Sequence, residues 1–246
     1  WSSDVCSSDL GVIVGAEQQV AEVAQKVAKE KYGLDVELVT FNDYVLPNEA
    51  LSKGDIDVNA FQHKPYLDQQ IKDRGYKLVS VGNSFVYPIA GYSKKIKSLD
   101  ELQPGSQVAI PNDPTNLGRS LLLLQQVGLI KLKEGVGLLP TSLDIIENPK
   151  NLKIVELEAP QLPRSLDDAQ IALAVINTTY ASQIGLTPAK DGIFVEGKES
   201  PYVNLIVARE DNKDAENVKK FVQAYQSDEV YEAANKIFNG GAVKGW

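Results

Sequence analysis

The chain has 246 residues, a net charge of −8 and 43% hydrophobic residues, which is enough for one large domain or two ordinary ones. It has no long basic run, so nucleic-acid binding is not expected, because phosphate neutralisation requires clustered Lys and Arg. One His and one Cys exclude an internal disulfide and leave too few ligands for a structural zinc site. No apolar run approaches the roughly 18 residues that a membrane-spanning helix requires.

The first ten residues, WSSDVCSSDL, differ in character from the rest of the chain. They are rich in Ser and Asp and lack the hydrophobic segment of a secretory signal. Cys6 also lies outside the sequence context of a lipid-attachment cysteine. We therefore interpret residues 1–10 as a non-native leader that replaces the start of the first strand.

Apolar runs and amphipathic helices alternate from residue 11 onwards. GVIVGA at 11–16 is typical of a strand, and apolar residues at helical spacing follow from Val20 to Ala28, with Gly33 as a C-cap. VELVTF at 36–41 alternates as a strand does. Strand, helix and strand within about 30 residues predict a right-handed βαβ unit with parallel strands.

The alternation continues to residue 82 and starts again near residue 95. The next predicted elements are a helix from Pro47 to Gly54, a strand at 56–60, a helix from Pro65 to Gly75 and a strand at 76–82. The later ones are a short helix at 98–102, strands at 106–111, 172–177 and 203–209, and two C-terminal helices, the last of which ends at Gly240. Asp113 and Pro114 predict the start of a further helix after the strand at 106–111.

Two α/β units followed by a returning pair of helices predict two lobes. The chain is expected to leave lobe 1 near residue 92 and to return near residue 204. Lobe 1 then comprises 11–92 and 205–246, and lobe 2 comprises 93–204. The fold class is α/β, and in such folds a ligand binds where the carboxyl ends of strands meet loops, here in a cleft between the lobes.

Arg119 lies about one turn inside the helix predicted to begin at Pro114, and mostly apolar residues follow it. Free N–H groups at a helix start favour an anion, and an arginine binds a carboxylate through two parallel hydrogen bonds. Asn116, on the same helix face, can add an amide donor. The alternative is that Arg119 is a surface residue with its aliphatic part along the helix. The spacing alone does not separate the two readings.

Aromatic residues follow two adjacent predicted strands. NDYVLPN contains Tyr44, and NAFQHKPY contains Phe61, His63 and Tyr66. Aromatic faces at neighbouring strand ends are suited to walling an apolar pocket for a thioether or aliphatic chain. The alternative is that they are ordinary aromatic residues at the edge of a core. His63 is more often a packed, hydrogen-bonded residue in such a setting than a catalyst.

Two asparagines occupy apolar strands. Asn177 ends the strand in VINTTY, and Asn204 lies inside the strand in YVNLIV. A buried amide without a partner costs about 1–3 kcal/mol, so each side chain requires one. The partner is either backbone or the ammonium or carboxylate of a ligand. Both asparagines flank the predicted return crossing, which favours the ligand slightly.

Motifs for catalysis are missing from the sequence. It contains no G-x-S-x-G, H-E-x-x-H, Walker or G-x-G-x-x-G pattern. With one His and no usable Cys, most nucleophilic mechanisms lack a base. The residues favour a two-lobed protein that binds a small zwitterion or acid and uses no metal and no cofactor. The alternatives are an enzyme with His63 as general base, and a structural or adhesive surface protein.

Three stretches, at 15–70, 111–125 and 172–186, resemble the NlpA family of substrate-binding lipoproteins, and the resemblance extends over 11–246. It implies a two-lobed type II periplasmic-binding-protein fold. It also implies that the protein is not an enzyme but captures methionine for an ABC importer with a membrane permease and a cytoplasmic ATPase. The natural precursor is then expected to be periplasmic and attached to the inner membrane by a lipid on its N-terminal cysteine. The present chain is expected to lack that anchor and to be soluble.

The resemblance also implies roles for individual residues. Residues around the methionine side chain are Tyr44, Phe61, His63 and Tyr66, and residues at its polar head are Asn116, Arg119, Asn177 and Asn204. Arg119 matches the arginine that binds the carboxylate in this family. Another apolar amino acid or a methionine-containing dipeptide is the alternative ligand, and the preference between D- and L-methionine stays open.

Overall fold

The protein is described here by a computed structural model, which covers residues 7–197 and 199–246. Residues 1–6 of the interpreted leader, with Cys6, lie outside the described residues. The chain divides into two units. Unit 1 takes the described residues up to Tyr87 together with Ser200–Trp246, and unit 2 takes the described residues of Pro88–Glu199.

Strands and helices alternate over much of the chain. The strands are β1 (Ser7–Ile13), β2 (Asp35–Phe41), β3 (Val58–His63), β4 (Leu78–Val86), β5 (Ala90–Tyr92), β6 (Gln107–Pro111), β7 (Lys131–Leu132), β8 (Ile145–Glu147), β9 (Lys153–Leu157), β10 (Ile171–Ile176), β11 (Phe194–Val195), β12 (Val203–Arg209) and β13 (Val243–Lys244). The α-helices are α1 (Ala16–Tyr32), α2 (Leu46–Lys53), α3 (Lys64–Arg74), α4 (Pro114–Gln126), α5 (Leu162–Ser165), α6 (Thr178–Gln183), α7 (Pro188–Asp191), α8 (Glu216–Tyr225) and α9 (Asp228–Ile237).

Unit 1 is built on a six-stranded sheet with the order β13-β4-β12-β3-β1-β2. β1 runs parallel to β2 and β3, as the predicted βαβ unit requires, whereas β12 is antiparallel to β3 and β4. Residues 7–10, which we interpreted as part of a leader, pair with 35–38 of β2 and therefore belong to the sheet. Ser8 and Leu10 are buried there.

Both faces of the unit 1 sheet are covered. Alternate residues of β12 enter different apolar clusters, since Ile206 packs in one and Leu205 in another. Successive side chains of a strand point to opposite faces, so the two clusters lie on the two sides of the sheet. The first cluster joins α1 to α8 and α9. The predicted C-cap glycines Gly33, Gly54 and Gly75 all adopt the left-handed conformation that ends a helix.

Unit 2 contains a five-stranded sheet with the order β11-β5-β10-β6-β9. β6 is parallel to β9 and β10, and β5 is antiparallel to β10 and β11. Because β5 pairs with these two strands, residues 88–92 group with unit 2, although the sequence places them in lobe 1. Val203, the first residue of β12, pairs with β4 of the unit 1 sheet. The chain has therefore returned to unit 1 before β12 begins, and not at Asn204 inside this strand.

Helix α4 of unit 2 packs directly against a loop at 138–140 through Gly118. A Cβ on Gly118 would lie 2.3 Å from the carbonyl oxygen of Leu138 and 3.0 Å from Cδ of Pro140. Backbone at this distance must move, so we expect Gly118→Ala to lower the free energy of unfolding by about 1–3 kcal/mol in chemical denaturation. Gly197 is the matched control, since a Cβ there meets nothing within 4 Å. Equal stability of the two variants would contradict the expectation.

Candidate ligand-binding site

Tyr44, Phe61 and Tyr66 of unit 1 form an aromatic set. Their ring centroids are 5.9 Å apart for Tyr44 with each of the others and 6.0 Å apart for Phe61 with Tyr66. These separations are typical of favourable tilted and edge-on ring contacts. The hydroxyl of Tyr66 donates to the carbonyl oxygen of Tyr44 at 2.7 Å, which ties the segment before α2 to α3. The two predicted aromatic loops therefore meet, while their contact with a ligand stays a prediction.

His63 joins the same region as the last residue of β3 and the N-cap of α3. Its Nδ1 accepts a hydrogen bond from the backbone N–H of Tyr66 at 3.1 Å, and its ring stands edge-on to Tyr202 at 5.0 Å. An Nδ1 that accepts leaves the proton of a neutral imidazole on Nε2. The buried, hydrogen-bonded role expected of His63 is thus observed. Tyr202 was missed, although it lies two residues before Asn204 in the sequence.

Asn204 of β12 has a carboxyl side chain as a hydrogen-bond partner, whereas the sequence predicted backbone or a ligand. Its Nδ2 donates to Oε1 of Glu17 at 3.3 Å. Glu17 is buried in the first turn of α1, where the helix dipole favours a negative charge. Burial, and after it the charge of Glu17, raises the pKa of Tyr225 above its ordinary value, so this phenol stays neutral. An ionised carboxylate only accepts, so Glu17 fixes which end of the Asn204 amide faces it.

Asn48 of α2 and Asn59 and Gln62 of β3 form a buried amide cluster. Nδ2 of Asn48 donates to Oε1 of Gln62 at 2.9 Å, and Nε2 of Gln62 donates back to Oδ1 of Asn48 at 2.8 Å. Nδ2 of Asn59 donates to the same Oδ1 at 3.0 Å and to the carbonyl oxygen of Pro47 at 3.2 Å. The cluster therefore holds the start of α2 against β3.

Arg119 of unit 2 is buried on α4, with 4% of its surface exposed, so the surface reading of this residue is wrong. Its Nε donates to Oε2 of Glu196 at 2.9 Å, and its Nη2 donates to Oε1 at 2.7 Å. This bidentate geometry is among the strongest hydrogen-bonded arrangements in proteins. Glu196 follows β11 and was not singled out from the sequence.

Asp113, Asn116 and Asn177 of unit 2 form what we call the amide relay. Asp113 is the predicted N-cap of α4, and its Oδ2 accepts from the backbone N–H of Asn116 at 3.2 Å and from Nδ2 of Asn116 at 2.8 Å. Nδ2 of Asn177 in turn donates to Oδ1 of Asn116 at 3.2 Å. Burial raises the pKa of Asp113 above its ordinary value, and the hydrogen bonds from Asn116 oppose that shift.

Metal sites and membrane-spanning helices were also sought among the described residues. Among 7–197 and 199–246, no group of three or more His, Cys, Asp or Glu side chains is arranged to hold a metal ion. Within the same ranges, every helix is too short or too polar to cross a membrane.

Comparison with known proteins identifies the family. A family model described as NlpA lipoprotein matches residues 9–246. A curated relative, the D-methionine-binding lipoprotein MetQ of Yersinia pestis, is 94% identical over 237 residues, which cover 96% of this chain and 88% of the relative.

Two solved structures extend the comparison to the fold. A nutrient-binding protein from Burkholderia cenocepacia bound to methionine is 54% identical with a TM-score of 0.94, covering 97% of this chain and 100% of that one. An ABC transporter periplasmic substrate-binding protein from Coxiella burnetii is 50% identical with a TM-score of 0.93, covering 97% and 100%. The predicted α/β periplasmic-binding-protein fold and the predicted family are thus confirmed, and the chain belongs to the NlpA lipoprotein family.

Proposed function

We propose that this protein is the substrate-binding component of an ABC importer and that it captures methionine. The observation that carries the proposal is the similarity to binding proteins whose ligand is named. One relative at 94% identity is named for D-methionine, and one solved structure at 54% identity contains methionine. Each of these relatives is named as a binding protein, which favours binding without turnover.

The side chains described above suit the two ends of a methionine molecule. We assign the aromatic set and His63 to the thioether side chain, because sulfur and methylene groups make favourable contacts with aromatic rings. Arg119, with Asn116 beside it, is assigned to the carboxylate, because a guanidinium binds a carboxylate through parallel charge-assisted hydrogen bonds. Asn177 and Asn204 are assigned to the polar head through their amide groups.

Delivery to a membrane permease driven by a cytoplasmic ATPase completes the proposal. The similarity to a periplasmic binding protein of an ABC transporter supports this role. The lipoprotein family supports a periplasmic location, with the natural precursor held at the inner membrane by a lipid on its N-terminal cysteine. Methionine is therefore captured next to the membrane across which it is transported.

The proposal is tested by calorimetry on protein that has been unfolded, freed of bound ligand and refolded. L-methionine and then D-methionine are titrated into the refolded protein, and Asn204→Ala is titrated in the same way. We expect saturable binding by the parent chain and a loss of affinity of about tenfold or more in Asn204→Ala, because one hydrogen bond to a charged group is removed. No heat with either enantiomer, in protein shown by circular dichroism to be folded, would refute the assignment.

A competition titration separates methionine from the alternative ligands. Leucine, norleucine and a glycyl-methionine dipeptide are each added before methionine. Tighter binding of one of these would replace methionine as the ligand while leaving the transport role in place. A catalytic role for His63 would instead require turnover of a substrate that His63→Ala abolishes.

A further inference from the structure

We propose that Asp113 is a positioning residue: it orients the amides of Asn116 and Asn177 so that Asn177 presents an acceptor oxygen to the α-ammonium of the ligand. Asp113 itself is not required to touch the ligand. This inference rests on the proposed function, because it assumes an amino-acid ligand. It also gives a structural reason why the site would require the α-amino group of its ligand, and membership of the family does not give that reason.

Asp113 determines the orientation of the Asn116 side chain. An amide side chain has a donor end and an acceptor end, and the hydrogen-bond network determines which end faces which neighbour. Asp113 faces Asn116 with a carboxylate oxygen, which accepts hydrogen bonds when it is ionised. The Nδ2 end of Asn116 must therefore face Asp113 at 2.8 Å, and its Oδ1 end must face away.

The orientation of Asn116 determines the orientation of the Asn177 side chain. Because Asn116 offers an acceptor, Asn177 turns its donor end towards it at 3.2 Å. Oδ1 of Asn177 is then the end that remains, and it is buried without a hydrogen-bond partner among the described residues. The side chain as a whole is only 6% exposed.

Oδ1 of Asn177 is suited to a ligand group that donates a hydrogen bond. A buried acceptor without a partner is costly, so the site gains affinity from a ligand group that donates a hydrogen bond. The α-ammonium is the donor of an amino acid, whereas its carboxylate only accepts. Asn177 in this orientation therefore favours ligands that carry an ammonium. The reverse orientation would place an N–H donor there and remove this preference.

The N-cap role of Asp113 allows a matched set of variants. Serine and threonine are also good N-caps, but their side-chain oxygen is one bond nearer the backbone and cannot reach Nδ2 of Asn116 in the same way. Asp113→Ser, with Asp113→Thr as a second variant, thus keeps the cap of α4 and removes the orienting contact. Asp113→Asn keeps one acceptor oxygen at the same distance from the backbone, while it removes the charge and replaces the second oxygen by an NH2 group.

The experiment compares two ligands by calorimetry on the full chain, refolded free of ligand. L-methionine is one, and methylthiobutanoic acid, which is methionine without its amino group, is the other. For each variant the measured quantity is the ratio of the two affinities. We expect Asp113→Ser and Asp113→Thr to lower this ratio about tenfold by weakening methionine alone, and Asp113→Asn to restore it to within about threefold of the parent.

A purely structural role of Asp113 predicts a different result. Equal weakening of both ligands in Asp113→Ser, or an unchanged ratio, would overturn the inference and leave the proposed function intact. Failure of Asp113→Asn to restore the ratio would also overturn it. If the parent chain binds neither ligand, the proposed function fails first, and the two failures are therefore distinguishable.

Discussion

Arg119→Leu is expected to cause the largest loss of methionine binding of any single substitution in unit 2. Two charge-assisted hydrogen bonds to a buried carboxylate are worth about 1.5–3 kcal/mol each, so the affinity should fall about 100-fold or more. The same substitution removes both hydrogen bonds that Glu196 accepts from Arg119. Breaking one side of a buried ion pair typically costs about 3–5 kcal/mol, so the free energy of unfolding should fall as well.

The double variant Arg119→Leu/Glu196→Leu separates the two roles of Arg119. Replacing both members of a buried pair by apolar residues is often neutral for stability, because no charge is left buried. We expect the double variant to recover most of the lost stability while methionine affinity stays low. If Arg119 serves only to neutralise Glu196, the double variant should instead bind methionine as tightly as the parent.

Arg164→Leu is the control for the loss of a positive charge in unit 2. Arg164 is an exposed residue of the short helix α5, apart from the residues assigned to the ligand. Its replacement should leave both the methionine affinity, measured by calorimetry, and the midpoint of denaturation unchanged. Wild-type affinity in Arg119→Leu would contradict the assignment of this residue to the ligand carboxylate.

Local sequence signals predicted most of the regular elements. Helix α1 follows from apolar spacing and ends at Gly33, whose left-handed backbone is the conformation glycine favours at a helix end. Helix α4 begins where Asp113 and Pro114 predicted it. Such signals depend on neighbours a few residues away, which is why they can be recognised before any tertiary contact is known.

Short strands escaped prediction because their pairing partners are distant in sequence. β5 has only three residues, and its place in unit 2 depends on β10 and β11. The pair β7 and β8 and the edge strand β9 lie in a stretch rich in Gly and Pro, where no regular alternation is long enough to be distinctive. These strands form because a partner strand is available for pairing, and their own residues do not predict them.

The candidate site shows the same limit at the level of single side chains. The sequence singled out Arg119 and Asn204, but the carboxylates that hold them, Glu196 and Glu17, are 77 and 187 residues away. Without these partners, a buried arginine could not be told from a surface one. An asparagine in a strand likewise gave no indication of which amide end faces a carboxylate. Both facts depend on tertiary proximity, which periodicity does not contain.

Asn48→Leu is expected to have the largest effect on stability in unit 1. Asn48 exchanges two hydrogen bonds with Gln62 and accepts a third from Asn59, and all three side chains are at most 2% exposed. Leucine leaves the buried Oε1 of Gln62 without its donor. Nδ2 of Asn59 and Nε2 of Gln62 each lose one of two acceptors, so one N–H of each is left unsatisfied. At about 1–3 kcal/mol for each unsatisfied group, the free energy of unfolding should fall by about 3–5 kcal/mol.

Methionine binding should weaken in the same variant, because the amide cluster holds the start of α2 next to β3. Tyr44 precedes α2, and Phe61 and His63 lie on β3, so loosening this junction separates members of the aromatic set. The matched variant is Asn48→Leu/Asn59→Leu/Gln62→Leu, which leaves no side-chain amide of the cluster buried. If unsatisfied amides are the cause, urea denaturation should show the triple variant to be more stable than Asn48→Leu alone. If the lost packing shape is the cause, each added substitution should instead lower the stability further.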